Sequence, residues 1–285
     1  MFETLKNAWK LPDLKRRICF TLMIIVIFRF GAALPVPFLD ASVMQGFGDG
    51  NLLGFLNMLT GGAFQNATLF ALSISPYITA SIVVQLLAVA IPALEQMAKE
   101  GAEGRKRLNK ISRYVTIGLA LIQSFGYYQL LNRRGAVVDG GNAFGNFLLA
   151  TTIILMFTAG SMICVWLGEQ IDEKGIGNGI SIILFVSIVA RFPNSIIRQI
   201  NNVANGDLAW WVLVLMYLGA LLLIVMIVLV NDAERRLPVQ YSKRVVGRKM
   251  YGGQSTHLPM KVNMSGVLPI IFAQSIASLP ATICA

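Results

Sequence analysis

The side chains able to do acid–base, nucleophilic or metal chemistry are few in this chain and poorly placed for it. There is one histidine, His257, in a basic stretch, and there are three cysteines, Cys19, Cys164 and Cys284. All three cysteines fall inside apolar runs, without paired spacing or a CxxC, so they read as small apolar packing residues. The fourteen acidic residues lie in tails, loops or at the ends of apolar runs, never in the middle of one. No HExxH, GxSxG or Walker A pattern occurs. Gly175-Ile176-Gly177-Asn178-Gly179 faintly resembles a phosphate loop, but no strand precedes it and it opens an apolar run, so it reads as a tight turn into a helix. The sequence thus predicts no catalytic residue, no metal site and no cofactor. What remains inside the apolar runs is polar and uncharged: Ser73, Thr79, Ser81, Gln85, Gln123, Gln274 and Ser275. Such residues suit helix–helix contacts or a wet lining. Arg29 is the one charge within a run; it lies about six residues, roughly 9 Å of helix, before Pro35 and can snorkel outward.

The elements that carry these residues are membrane helices. A mean hydropathy of +0.66, with 55% hydrophobic and only 13% charged residues, does not suit a water-soluble chain of 285 residues. Apolar runs near 18–35, 74–94, 114–131, 147–168, 176–190, 208–231 and 264–285 predict seven spans. The expected fold class is an all-α membrane protein, a multi-span helical bundle. The basic N-terminus before the first run resembles a signal peptide. The run is too long for one, however, and only Ala32-Ala33-Leu34-Pro35 follows, so it reads as a retained span.

One segment, 52–94, is apolar, uncharged and broken in the middle. The run Leu52–Leu59, followed by Thr60 and Gly61-Gly62, is roughly 12 Å long as a helix and cannot cross a core of about 30 Å. A polar patch (Gln65, Asn66, Thr68) separates it from a run long enough to cross. Ser75-Pro76 interrupts that run in the manner of an N-cap and a first helical position. The pattern is a stub of helix, a hinge at Gly61-Gly62, and a helix that starts afresh at depth. Irregular backbone within a membrane is tolerated only where protein or a water-filled cavity lines it, so a cavity or pore is expected nearby.

The net charge of +10 is unevenly spread. Nineteen Lys and Arg fall in the N-terminal tail and the even-numbered loops; four, Arg133, Arg134, Arg191 and Arg198, fall on the other side. This bias places the N-terminus and even loops in the cytoplasm, and the stub enters the membrane from the outer side. Loop 232–263 carries seven basic residues, more than orientation requires, and suits anionic lipid or a large anionic partner such as ribosomal RNA.

Four stretches then become specific: TGGAFQNATLFALSISPYITASIVVQLL (60–87), KEGAEGRKR (99–107), WLGEQIDEKGIGNGISI (166–182) and YGGQSTHLPMKVNMSGVLPIIFA (251–273). In order, and with KRRICFTLMIIVIFRFGAALPVP (15–37), they closely resemble the bacterial SecY family of protein-conducting channels. The resemblance implies a passive channel for unfolded polypeptides with a re-entrant plug helix. The plug would fall at about 52–65, with Leu53, Phe55, Leu56, Met58, Leu59, Gly61 and Gly62. The next helix, 76–94, would form one side of a lateral gate, with Thr79 and Gln85 facing Gln274 and Leu279 on the seventh span. A ring of aliphatic side chains would seal the pore: Ile74, Ile78, Ile180, Leu184 and Ile271, with leucine at 184 where isoleucine is common. Independently, Ile74/Ile78 and Ile180/Leu184 are i, i+4 pairs that share a face where the helix is regular. Such a ring can close around any side chain and exclude water when empty. Arg236, Lys243, Arg244, Arg248 and Lys249 match the family's basic docking loop for the ribosome or the SecA motor ATPase. The family also implies SecE and SecG subunits, signal-bearing polypeptide substrates, surrounding lipid, and a multi-pass place in the bacterial inner membrane.

The family has ten spans in two halves of five, and this sequence resembles seven of them. The expected division is a cytoplasmic tail at 1–17, a five-span half at 18–190, and part of a second half at 191–285. Gate and ring would be incomplete within these residues. Two other readings compete. A small-solute secondary transporter also uses broken helices near the midplane, but the lack of intramembrane acids weighs against ion coupling. A membrane-embedded enzyme is disfavoured because no catalytic constellation appears.

Overall fold

The computed structural model describes residues 11–40, 52–239, 244–246, 249–251, 256–263 and Ala273. In chain order the helices are α1 (Pro12–Ala33), α2 (Leu52–Leu59), α3 (Ser75–Ala90), α4 (Pro92–Lys99), α5 (Ala102–Arg133), α6 (Ala143–Lys174), α7 (Gly179–Val189), α8 (Phe192–Ala204) and α9 (Trp210–Asp232). Four short strands follow: β1 (Glu234–Val239), β2 (Arg244–Val246), β3 (Lys249–Tyr251) and β4 (Thr256–Lys261). The described residues up to Ser195 form one compact unit, and those from Ile196 to Ala273 form another.

Ala143–Lys174, Gly179–Ala204 and Trp210–Asp232 are each long and apolar enough to cross a membrane, and the bent pair Ser75–Ala90 with Pro92–Lys99 makes a fourth. Helices α1 and α5 overlap the expected runs 18–35 and 114–131 but are not among these. Helix α1 carries Arg16, Arg17 and Arg29, and α5 mixes Gln123 and Gln129 with its aliphatic residues. Much of that polarity faces protein. On α5, Thr116 and Ser124 are fully buried, and Ser124 Oγ lies 3.0 Å from Thr158 Oγ1 on α6. Polar side chains hydrogen-bonded between helices hold them together without meeting lipid. The seventh run, 264–285, lies outside the described residues except for Ala273.

Two sequence expectations for the second span need correction. Ser75 is not the N-cap: the helix begins at Ser75 with Ile74 as its cap, no side chain capping it, and Pro76 in its first turn. The helix also ends at Ala90 rather than 94. Ile91 is extended (φ −106°, ψ 115°), and α4 leaves at 103° to α3. Pro92 is the reason. It has no N–H for an i→i−4 bond, its ring clashes with the preceding turn, and it drives the residue before it to extended backbone.

Two buried clusters hold the first unit together. One gathers Val36, Phe64, Ala67, Ala71, Leu72, Tyr127, Leu131, Ala136, Ile153 and Phe157. Its aromatic spine runs from Phe64 to Tyr127 (ring centroids 4.4 Å apart) to Phe157 (4.9 Å). The other gathers Ile24, Phe28, Phe70, Ile74, Cys164, Leu167, Ile171 and Ile183 from α1, α6, α7 and the segment before α3. The non-helical segment 60–74 contributes to both. It approaches α6 so closely that a β-carbon on Gly160 would run into the carbonyl oxygen of Leu69. Glycine is what permits that contact. The turn between α6 and α7 behaves as expected of it. Asn178 caps α7 by accepting from the Ser181 N–H (2.9 Å), and Asp172 accepts from the Gly179 N–H (2.7 Å). Thr21 Oγ1 on α1 accepts from the Ile176 N–H at 3.2 Å, which ties the turn to the first helix. Arg113 on α5 and Glu169 on α6 form an ion pair of 2.7 Å.

In the second unit, none of α9's apolar stretch is buried by protein. At 23 residues it is about 35 Å long, enough to cross a bilayer core of about 30 Å. Beyond it the described residues of the basic loop form two antiparallel pairs of short strands. Strands β1 and β4 pair antiparallel, Glu234 opposite Lys261 through Val239 opposite Thr256, and β2 pairs with β3 from Arg244↔Tyr251 to Val246↔Lys249. The base of the ribbon is closed by Val262 N–H to Ala233 O (3.0 Å) and by Asn263 Nδ2 to Asn231 Oδ1 (2.9 Å).

Candidate functional site

The stub and the turn after it form a small rigid piece. Asn57, almost wholly buried, donates from Nδ2 to Gln65 Oε1 (3.0 Å) and accepts at Oδ1 from the Gln65 N–H (3.1 Å). The Gly62 N–H donates to the Asn57 carbonyl at 2.9 Å, and Thr60 Oγ1 accepts from the Phe64 N–H at 3.2 Å. These bonds satisfy backbone and amide groups that have no water to turn to at depth. Tyr127 on α5 donates its hydroxyl to the Phe64 carbonyl and fixes the far end of the turn.

The piece is seated against the end of α7. Gly61 has φ +66°, and a β-carbon there would strike the carbonyl oxygen of Ser187. A β-carbon on Gly62 would lie 3.0 Å from Nε and Nη2 of Arg191, just beyond α7. Arg191 Nη2 donates to Gln65 Oε1 at 3.4 Å. The hinge glycines therefore serve contact as well as turning: only a residue without a side chain lets the chain lie on Ser187.

Of the expected plug residues, Leu53, Phe55 and Leu56 lie on α2, Met58 is exposed and Leu59 half-buried. Of the expected ring, Ile74 is wholly buried in the second cluster and touches protein on every side. Ile78 and Ile180 pack half-buried against the same cluster, so the structure brings these three together. Leu184 is half-buried on α7, and Ile271 lies outside the described residues. Of the expected gate residues, Thr79 is buried and donates to the Ser75 carbonyl (3.1 Å). Gln85 is exposed and lines, with Ser81, Val84, Lys99 and Arg105, a cleft of about 630 Å³ between α3, α4 and α5. Six residues apart on a helix, Thr79 and Gln85 lie on different faces. Gln274 and Leu279 lie outside the described residues.

Of the expected docking residues, Arg236 is exposed on β1, Arg244 lies in β2 and Lys249 in β3, while Lys243 and Arg248 lie outside the described residues. His257 is exposed on β4, opposite Pro238. Cys19 is exposed and Cys164 buried, both as free thiols. Among the described residues no group of His, Cys, Asp and Glu is arranged to hold a metal ion.

The sequence reading missed Asn57, Ser187 and the role of Arg191. Asn57 left a signal, an amide within an otherwise apolar stub. Arg191 registered only as an outer charge, and nothing in the sequence marks Ser187, whose carbonyl is the contact.

The SecY family model matches residues 68–285. The protein translocase subunit SecY of Streptomyces coelicolor is 42% identical over 296 residues, covering 99% of this chain and 67% of that protein. That of Thermotoga maritima is 44% identical over 293 residues, covering 99% and 66%. That of Escherichia coli is 43% identical over 289 residues, covering 99% and 64%. The chain thus spans about two thirds of the length of these relatives. Among solved structures it shares the fold of a protein-conducting channel, with a TM-score of 0.64 at 19% identity over 98% of this chain and 62% of that one. It likewise matches Sec61 in the canine ribosome-channel complex from the endoplasmic reticulum, with a TM-score of 0.64 at 19% identity over 96% and 59%. With a family match over most of its length and identities above 40% along nearly all of it, the chain is a membrane protein of the SecY family.

Proposed function

We propose that this chain is the channel-forming part of a protein translocase: it conducts unfolded secretory polypeptides across the membrane and releases membrane segments sideways. The observation that carries this reading is the short helix α2, about 12 Å long, with Gly61 in the turn after it seated on the Ser187 carbonyl and Phe64 in the same turn held by Tyr127. A helix too short to span, left through irregular backbone, suits a movable stopper better than a structural span. In this reading α2 and the turn to Gln65 are the plug, α3 is one wall of the lateral gate, and Ile74, Ile78, Ile180, Leu184 and Ile271 form the ring. Ile74 has its place in the core, so ring formation requires the α1–α6–α7 packing around it to open when a polypeptide enters.

The basic ribbon is the docking element for the ribosome or the SecA ATPase, and SecE and SecG are the companion subunits. The protein sits in the bacterial inner membrane with its N-terminus in the cytoplasm, its five-span half at 18–190 and the start of a second half beyond. The chain hydrolyses nothing itself, and the driving energy comes from SecA, the ribosome or the membrane potential. No observation favours a solute transporter: a carboxylate within a span is what ion coupling asks for, and the helices described here carry their acids at or near their ends.

A photo-crosslinker at Ile78 in the full-length protein tests the reading. Under active translocation it should trap a signal-bearing polypeptide. Adducts to lipid or to neighbouring helices alone, at a position that remains active, would refute it.

A further inference from the structure

We propose that Arg191 is the positioning residue that holds the plug in its seat, acting through Gln65, and that the neutral amide at 65 keeps this hold weak enough to release. The inference rests on the plug reading above.

Its basis is the way two donor side chains share one acceptor. Gln65 Oε1 accepts from Asn57 Nδ2 at 3.0 Å and from Arg191 Nη2 at 3.4 Å. The Asn57–Gln65 pair closes a ring, because the Gln65 N–H also returns to Asn57 Oδ1. Through that ring the stub and its turn behave as one body. The hydrogen bond from Arg191 joins this body to the chain just past α7, 126 residues away. Its guanidinium also lies at the face of Gly62, where any side chain would displace it. Gly61 on the Ser187 carbonyl is a close approach without a donor and offers no directional hold. Arg191 and Gln65 are each only half-buried, so water can take over both groups when they part. A hydrogen bond that is long, made to a neutral amide and reachable by water is suited to repeated opening. Glutamate at 65 would convert it into an ion pair, shorter and about twice as strong.

The test uses the full-length protein in planar bilayers, with resting ion conductance and translocation both measured. Arg191→Glu should raise resting conductance roughly tenfold, the scale of losing one hydrogen bond to a charged group. Gln65→Glu should lower both resting conductance and the translocation rate. The conservative variant Arg191→Lys, which keeps a cationic donor for Gln65 Oε1, should hold resting conductance near the parent value, which a merely steric role for Arg191 does not predict. Deletion of 52–65 serves as the reference. If the deletion raises conductance while Arg191→Glu and Gln65→Glu leave it unchanged, the latch is overturned and the plug stands. If the deletion itself changes nothing, the plug reading falls and the latch with it. Should Arg191→Glu fail to fold, Gln65→Glu decides alone, and unchanged conductance and translocation would overturn the proposal.

Discussion

The phenol of Tyr127 donates to the main-chain carbonyl of Phe64, joining α5 to the turn that follows the stub. The two rings also pack, with centroids 4.4 Å apart. Both residues are buried, so the carbonyl has no water to fall back on. Tyr127→Phe keeps the packing and removes the bond. It should lower stability by about 1–2 kcal/mol, read as a fall of a few degrees in Tm in detergent. An unchanged Tm would mean that the turn finds another partner.

At Gly61, alanine meets two obstacles. The left-handed backbone at φ +66° costs about 1 kcal/mol for a residue with a β-carbon, and that carbon runs into the Ser187 carbonyl. Gly61→Ala should unseat the stub. A disulfide engineered between the stub and the end of α7, formed readily in the parent, should then form several-fold more slowly. Equal rates would show that the stub does not depend on this contact.

The bend at Pro92 is a property of that residue and of the neighbours of α4. Replacing it with alanine restores an N–H and removes the ring clash, worth about 3 kcal/mol in a helix interior. Helices α3 and α4 should then run on as one. Spin labels at residues 84 and 97, thirteen positions apart, should move towards a separation of about 20 Å, the length of continuous helix. No lengthening would show that packing of α4 on α5 sets the bend.

For the ribbon, charge reversal at Arg236 and Lys249, with Lys243 and Arg248 as further positions, should weaken SecA or ribosome binding. The loss should grow as salt is lowered, because screening already mutes the attraction at high ionic strength. Binding assays at two salt concentrations separate this from unfolding of the ribbon, which would weaken binding equally at both.

Much of this molecule is legible in its sequence because the bilayer constrains it so strongly. A stretch such as 208–231, apolar on every side, reads as a span, and Trp210–Asp232 is a helix long and apolar enough to be one. The eight residues Leu52–Leu59 are too few to cross, and they form the stub. Motifs supplied the family, since several long matches in order carry far more information than one. The ribbon was hidden for a local reason. Pro238 and Pro259 lie within its strands, and proline argues against a strand in a sheet interior. A two-stranded ribbon is all edge, so each proline can turn its missing N–H outward. Pro92 was legible in principle, but the apolar run continues past it and masked the break.

Composition and spacing determined the class of protein, the place of its broken segment and the absence of a recognisable catalytic motif. They act residue by residue along the chain, through helix length, hydropathy and the demands of proline. Only the tertiary structure decided that Gly61 rests on a carbonyl of Ser187, that Ile74 is wholly enclosed, and that Gln65 is shared between Asn57 and Arg191. Most of those contacts join residues far apart in sequence, and the first is made between groups that leave little trace in residue type: a backbone oxygen and the space where a side chain is missing.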